Sequence, residues 1–266
     1  MYSVNRNAWA PPPAIGVMLC VGWAVSFPSP AHAGGPPQPR IAHAIDNSPY
    51  LLRNEAWGGA DVLASYWSVY SGSTYALTGD IEASGWRLRS TGGYGRYSYK
   101  KWRGTRKSPV YVTYKGRKYF STLLLGYHFQ WHRLTLKSFG GLSTERHVIT
   151  PHDPDEAARA MRYGGKAALD AWLTLSDRQW LATSVSWAST FNTYKLSAQT
   201  GYAVLRDLDL GIQAQMDGND SHRVSRIGGF ATWRLGDAGL TFAAGASVDR
   251  AIRSAPYGSI NLFVRY

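Results

Sequence analysis

The chain is nearly free of cysteine: Cys20 is the only one in 266 residues. A disulfide scaffold and a cysteine-based zinc site each need several, so both are excluded. Charged residues are scarce, at 17% against roughly 25% in an ordinary soluble domain. Long apolar runs are missing as well. Beyond the first thirty residues no stretch reaches the ~18 consecutive apolar residues of a membrane helix, which argues against a helical membrane protein. Helical periodicity is confined to one short candidate at residues 154–161. Acidic residues disappear between Glu82 and Glu145, where thirteen basic ones fall. What is present is 44% apolar and 14% aromatic residues, 28 glycines and a net charge of +12. That apolar content is ample for a buried surface and excludes a charged, disordered chain. The expected class is a single all-β domain rich in glycine and aromatics.

The first 33 residues read as an export signal. Arg6 precedes a twelve-residue apolar run at 14–25 (AIGVMLCVGWAV), and Ala31-His32-Ala33 is a small-x-small cleavage pattern. Cleavage after Ala33 would remove Cys20 and lower the net charge by one. Leu19 precedes Cys20 where a lipoprotein signal would carry a small residue, so lipidation is not expected. Residues 34–54, with Pro36, Pro37, Pro39 and Pro49, read as a flexible lead. The folded domain is then 55–266.

From Trp57 onward the sequence alternates with period two. In 119–131 the odd positions are Tyr119, Ser121, Leu123, Leu125, Tyr127, Phe129 and Trp131, while most even ones are small or polar. Successive strand residues face opposite ways, so this is a two-faced strand. Leu208, Leu210, Ile212, Ala214 and Met216 repeat the pattern against Asp209, Gln213, Gln215 and Asp217. Twelve such segments are expected: 56–66, 68–78, 84–99, 118–131, 133–147, 162–176, 179–189, 193–206, 208–217, 222–235, 239–250 and 256–266. Many reach ten residues, the length of a tilted membrane strand.

Short connections are expected after the even-numbered strands: 79–80, 131–132, 176–177, 207 and 236–237. Longer polar ones follow the third, fifth, ninth and eleventh. Outer-membrane barrels have this asymmetry, with short periplasmic turns, long outer loops and an even strand number. The last strand supports it: Gly258, Ile260, Leu262, Val264 and Tyr266 form an apolar face ending in a terminal aromatic. Tyr127, Trp131, Trp180, Trp187, Trp233 and Tyr266 are expected in the aromatic girdles. The expected fold is an all-β, antiparallel up-and-down transmembrane barrel of about 12 strands, in contact with outer-membrane lipid and lipopolysaccharide. A soluble β-sandwich or lipocalin-like barrel is the alternative; it would hide its apolar face.

Parity turns Asp61, Arg87, Arg89, Lys137, Lys166, Asp170, Asp209, Asp217, Arg226, Arg234 and Arg265 into the lumen. They form either a lattice of salt bridges or a polar passage, and a twelve-strand barrel is of a size that permits both. The basic segment 96–118 is expected on the third strand and the outer loop after it. Arg and Lys interleaved with Tyr can read nucleic acid, but export makes that reading poor. Two readings stay open: phosphate binding at the outer leaflet, and carbohydrate contact through flat rings. Arg87, Arg89, Tyr94, Tyr97, Tyr99 and Trp102 are the candidate glucan or surface contacts, with Tyr111 and Tyr114 as further flat faces. No catalytic residue, metal or cofactor is expected. A lipid-modifying hydrolase would need a Ser nucleophile, a His base and an orienting group, and no His here sits in a His-x-Ser-Asn pattern. His128 points inward, Ser221-His222 makes a poor dyad on a strand, and His147, His152, Asp153 and Asp155 read as a solvated loop.

Several stretches together resemble a known family. They are Trp57-Gly58-Gly59-Ala60-Asp61, Tyr75-Ala76-Leu77-Thr78-Gly79-Asp80, Gly85-Trp86-Arg87-Leu88-Arg89, Gly92-Gly93-Tyr94-Gly95-Arg96-Tyr97-Ser98-Tyr99 and Leu125-Gly126-Tyr127. The chain is similar in these to the BcsS-type cellulose biosynthesis proteins. The resemblance implies a non-catalytic accessory of cellulose production and export, with cellulose and other export components as partners. A small porin-like channel is the alternative function.

Overall fold

The computed structural model describes residues 52–105, 108–154, 161–219, 223–249 and 254–266. The export signal, most of the lead 34–54 and residues 155–160 of the helix candidate lie outside the described residues. Residues 52–54 of the lead are held to the barrel. The Leu52 amide donates to Asp80 Oδ2 at 3.0 Å, and Asn54 N donates to the Tyr266 carbonyl at 2.9 Å.

Twelve antiparallel strands follow one another around a closed barrel: β1 (Asn54–Leu63), β2 (Tyr66–Ala76), β3 (Gly85–Thr105), β4 (Ser108–Trp131), β5 (Leu134–Thr150), β6 (Arg162–Thr174), β7 (Gln179–Ala188), β8 (Thr193–Leu205), β9 (Leu208–Gly218), β10 (Arg223–Leu235), β11 (Ala238–Asp249) and β12 (Ala255–Arg265). Each strand pairs with its sequence neighbours, and β1 closes onto β12 from Glu55↔Arg265 to Leu63↔Tyr257. Within the barrel wall closure leaves no unpaired strand edge, the condition for putting a sheet in lipid; only the far part of β3 and β4 extends past its neighbours.

The side chains sort as the alternation requires. Leu123, Leu125, Ile212, Ile227 and Leu262 are exposed on the outer wall, Ile212 to 65% and Ile227 to 66%. Every charged residue placed inside by parity is buried or half-buried there. A soluble barrel would show the reverse. Aromatic rings border the apolar band. Trp86 and Tyr127 pack edge to face at 5.5 Å near one rim, and Trp67, Tyr94 and Tyr119 cluster at 5.0–5.6 Å near the other. From Trp86 to Tyr94 is about 27 Å of strand at ~3.4 Å per residue, which at a tilt of ~35–45° rises about 20 Å, most of the ~25 Å apolar band of such barrels. The rim carrying both ends of the domain is the periplasmic one by the short-turn rule.

Five expectations are corrected. First, residues 100–117 are not a loop. β3 and β4 pair without interruption from Gly85↔His128 to Thr105↔Ser108. Tyr97, Tyr99, Lys101 and Arg103 alternate with Ser98, Lys100 and Trp102, and Val110, Tyr111, Val112 and Thr113 favour strand. The basic run is therefore a hairpin that continues well beyond the outer girdle. Second, the connection after β2 is the eight residues 77–84, not a turn at 79–80. Gly79 takes φ +67°, a left-handed conformation that suits glycine, and the segment folds over the barrel end. Third, Trp180 is not in a girdle. It shares the inward parity of Ala182 and Ser184, and its ring stacks on Trp172 inside, with centroids 4.2 Å apart. Fourth, Asp153 is fully buried and not solvated. Fifth, the first turn falls at 64–65, so Tyr66 opens β2 and points inward.

Candidate functional site

The lumen is built in layers. At the periplasmic end Arg87 is 1% exposed, and its guanidinium gathers the 77–84 segment. Nη1 donates to the carbonyls of Thr78 at 3.0 Å and Trp86 at 2.9 Å. Nη2 donates to Asp80 O at 2.6 Å and to Ala83 O. Ile81 is thereby buried, its carbonyl 3.2 Å from His128 Nδ1. Arg265 bridges Glu55 at 3.3 Å and Glu82 at 2.8 Å. Four carbonyls converging on one cation hold an otherwise irregular segment as a floor.

Above the floor Arg89 reaches Asp170 on β6 at 2.9 Å and lies 3.7 Å over the Phe139 ring. Trp172, Trp180 and Phe230 pack together, and Arg234 pairs with Asp209 one residue inside the periplasmic ends of β10 and β9. In the outer half Arg226 meets Asp217 at 3.3 Å, and Lys118 meets Glu145 at 2.8 Å. Two adjoining cavities measure about 40 and 30 Å³ and share Thr122, Lys166, Ser186 and Lys195 as walls, the smaller one reaching down to Arg89 and Asp170. Each has room for a few waters at most, far less than a sugar ring. Of the two lumen readings, the ion pairs among the described residues fit the lattice of salt bridges.

The hairpin above the outer girdle has a core of its own. Tyr66, Tyr97, Tyr99 and Tyr114 are each at most 4% exposed and form a buried cluster. Tyr97, Tyr99 and Tyr114 stack in sequence, with centroids 6.2 and 5.1 Å apart. Glycine at 116 is required here: a Cβ would stand 2.1 Å from the Tyr97 ring on the paired strand. The ladder ends on Asp153, which accepts from Tyr99 Oη at 2.8 Å, pairs with Lys101 at 3.2 Å, and pairs with Arg103. At its base the Tyr97 hydroxyl is 2.8 Å from His147 Nδ1, and His147 Nε2 is 2.8 Å from Glu145 Oε1. Both ring nitrogens of His147 are thus engaged in structure. Among the described residues no cluster of His, Cys, Asp and Glu could hold a metal ion.

The six candidate residues therefore occupy different places. Arg87 is in the floor and Arg89 in the mid-lumen. Tyr97 and Tyr99 are the only two brought together, and their faces are spent on each other and on Tyr114. Tyr94 faces outward in the girdle. Trp102 faces outward high on the hairpin, opposite Tyr111, which is 71% exposed. Reading from sequence missed Tyr66, Lys101, Arg103, His147 and Asp153 as members of the hairpin core. Continued alternation through 97–103 and 110–114 is the signal that could have found the strand that aligns them.

These observations define a closed transmembrane β-barrel, filled by ion pairs, with a projecting hairpin. Within that class the chain belongs to the cellulose biosynthesis protein BcsS family, which matches residues 56–266. Membership supports an accessory role in cellulose synthesis. Comparison with curated proteins gives no match. Among solved structures the chain is similar to LpxR from Salmonella typhimurium, at 11% identity over 79% of this chain and 99% of that one, with a TM-score of 0.48. It is similar to the transport unit of the autotransporter AIDA-I from Escherichia coli, at 8% over 85% and 94%, TM-score 0.47. It is also similar to the KdgM porin, at 8% over 80% and 99%, TM-score 0.45.

Proposed function

We propose that the protein is a non-catalytic outer-membrane accessory of cellulose secretion that works through its projecting hairpin and not by conduction through its lumen. The observation that carries this reading is the filled lumen. With cavities of only about 40 and 30 Å³ between its buried ion pairs, the lumen offers less to a polymer or an export component than the outward rings of the hairpin, the half-buried Trp102 and the exposed Tyr111. Trp102 and Tyr111 are the contact pair, since a flat apolar ring face packs on the apolar face of a pyranose. Residues 1–33 direct export and are removed after Ala33.

The test is complementation of a deletion strain. Trp102→Ala combined with Tyr111→Ala should lower cell-associated β-glucan while leaving the barrel folded, as read by heat-modifiable mobility on a gel. Unchanged glucan output with a folded barrel would remove the hairpin contact. Steady ion conductance of the purified wild-type protein in a planar bilayer would favour the channel reading instead.

A further inference from the structure

The basic segment divides by parity into two sets with different fates. Lys101, Arg103 and Lys118 turn inward onto Asp153 and Glu145. Arg96, Lys100, Lys115, Arg117 and Arg146 turn outward and are exposed. The register makes the outward five one continuous patch. Arg96 and Arg117 are direct cross-strand partners on β3 and β4. Arg146 is the partner of Tyr119 and so lies diagonal to Arg117. Lys115 is the partner of Ser98 and lies diagonal to Arg96, and Lys100, partner of Thr113, lies diagonal to Lys115.

Like charges directly opposite on a sheet face destabilise it, and among the described residues no carboxylate of β3, β4 or β5 faces outward to offset them. No acidic residue occurs between Glu82 and Glu145. Glu145 and Asp153 both point inward and are buried. The height of the patch is fixed as well. Arg96 follows Tyr94 by two residues, about 7 Å along the strand, and pairs with Trp67. Its Nε donates to Tyr94 Oη at 2.7 Å, and its guanidinium carbon lies 6.0 Å from the Tyr94 ring centroid. Three exposed arginines therefore stand on the lipid-facing wall at the aromatic border, Arg146 level with Tyr119 and Arg96 and Arg117 two residues beyond it. That is the level of headgroups and not of bulk solvent.

We propose that Arg96, Arg117 and Arg146, assisted by Lys115 and Lys100, form a binding site for the phosphate groups of an outer-leaflet phosphoglycolipid. The inference rests on the transmembrane placement. Guanidinium groups match phosphate bidentately, and an anionic leaflet cancels the repulsion within the patch. The site docks the base of the projecting hairpin to the leaflet and orients the rest of it away from the membrane.

The experiment uses the full mature barrel in phosphatidylcholine nanodiscs containing either bisphosphorylated or dephosphorylated lipid A, with retained lipid counted by native mass spectrometry. The wild type should retain the phosphorylated form preferentially. Combined Arg96→Gln, Arg117→Gln and Arg146→Gln should reduce that retention roughly tenfold. Arg178→Gln with Arg206→Gln, changed at the opposite rim, should not. Equal retention of both lipids by the wild type, or full retention by the triple variant, would overturn the proposal. Displacement of lipid A by millimolar inorganic phosphate would also overturn it, since it would mark a site for soluble anions. Failure to enter nanodiscs at all would instead remove the membrane placement.

Discussion

Replacing Arg87 should open the periplasmic floor without unfolding the barrel. The guanidinium makes four contacts to carbonyls, three of them within or beside the 77–84 segment and one to its own strand at Trp86. A hydrogen bond to a charged group contributes about 1.5–3 kcal/mol. The sum overstates the effect, because the freed carbonyls of an opened segment gain water. About 3 kcal/mol lost from the closed form is a conservative value, and at ~1.4 kcal/mol per decade it shifts opening by roughly 100-fold. The strands are unaffected, since Arg87 supports the segment and not the ladder. Hydrogen exchange by mass spectrometry should therefore show much faster exchange in Arg87→Ala for the amides of Ile81 and Ala83, which are bonded in the closed form to Leu52 O and Asp80 O. Exchange in β9 and β10 should not change. Arg87→Lys keeps the charge but not the fork and should fall between. An Arg87→Ala protein whose segment exchanges within twofold of wild type would refute the reasoning.

Two further perturbations test the packing. Gly116→Val should destabilise the hairpin by about 1–3 kcal/mol through overpacking against Tyr97, and adding Tyr97→Ala should recover part of it; additive losses in a double-mutant cycle of urea unfolding would contradict the contact. Asp170→Ala should cost about 3–5 kcal/mol by leaving the Arg89 charge buried without its carboxylate, whereas Arg89→Leu with Asp170→Leu should be milder. A double variant as damaged as the single would show that the pair does not act as a unit.

How much of this was legible in the sequence depends on what each feature requires. The two faces of the wall need only parity, so Leu123 and Ile212 outside and Asp209 and Asp217 inside were readable from alternation. The cellulose link was readable only through the resemblance carried by 57–99, because nothing in alternation distinguishes one barrel's task from another's. The hairpin was obscured because its inward cations are neutralised from elsewhere in the chain. Lys101 and Arg103 look like solvated loop until Asp153, some fifty residues away, is brought beside them. The floor was obscured for a similar reason: Gly79-Asp80 has the chemistry of a tight turn, and the longer segment exists because Arg87 collects its carbonyls. Trp180 was misplaced by counting ring type over parity. The candidate site residues were chosen by type along one strand, and a strand deals such residues alternately to two faces. Tyr94 and Trp102 therefore went outward while Tyr97 and Tyr99 went in.

The placement of the wall in lipid is tested most directly by spin labels on single cysteines. Cys20, within the expected export signal, is the only native cysteine, so the mature chain offers a clean background. Labels at Leu123→Cys, Ile212→Cys and Ile227→Cys in reconstituted bilayers should relax fast with lipid-dissolved oxygen and stay shielded from a water-soluble nickel chelate, while a label at Arg178→Cys on the rim should do the opposite. Nickel-accessible labels at Leu123 and Ile212 would contradict the account.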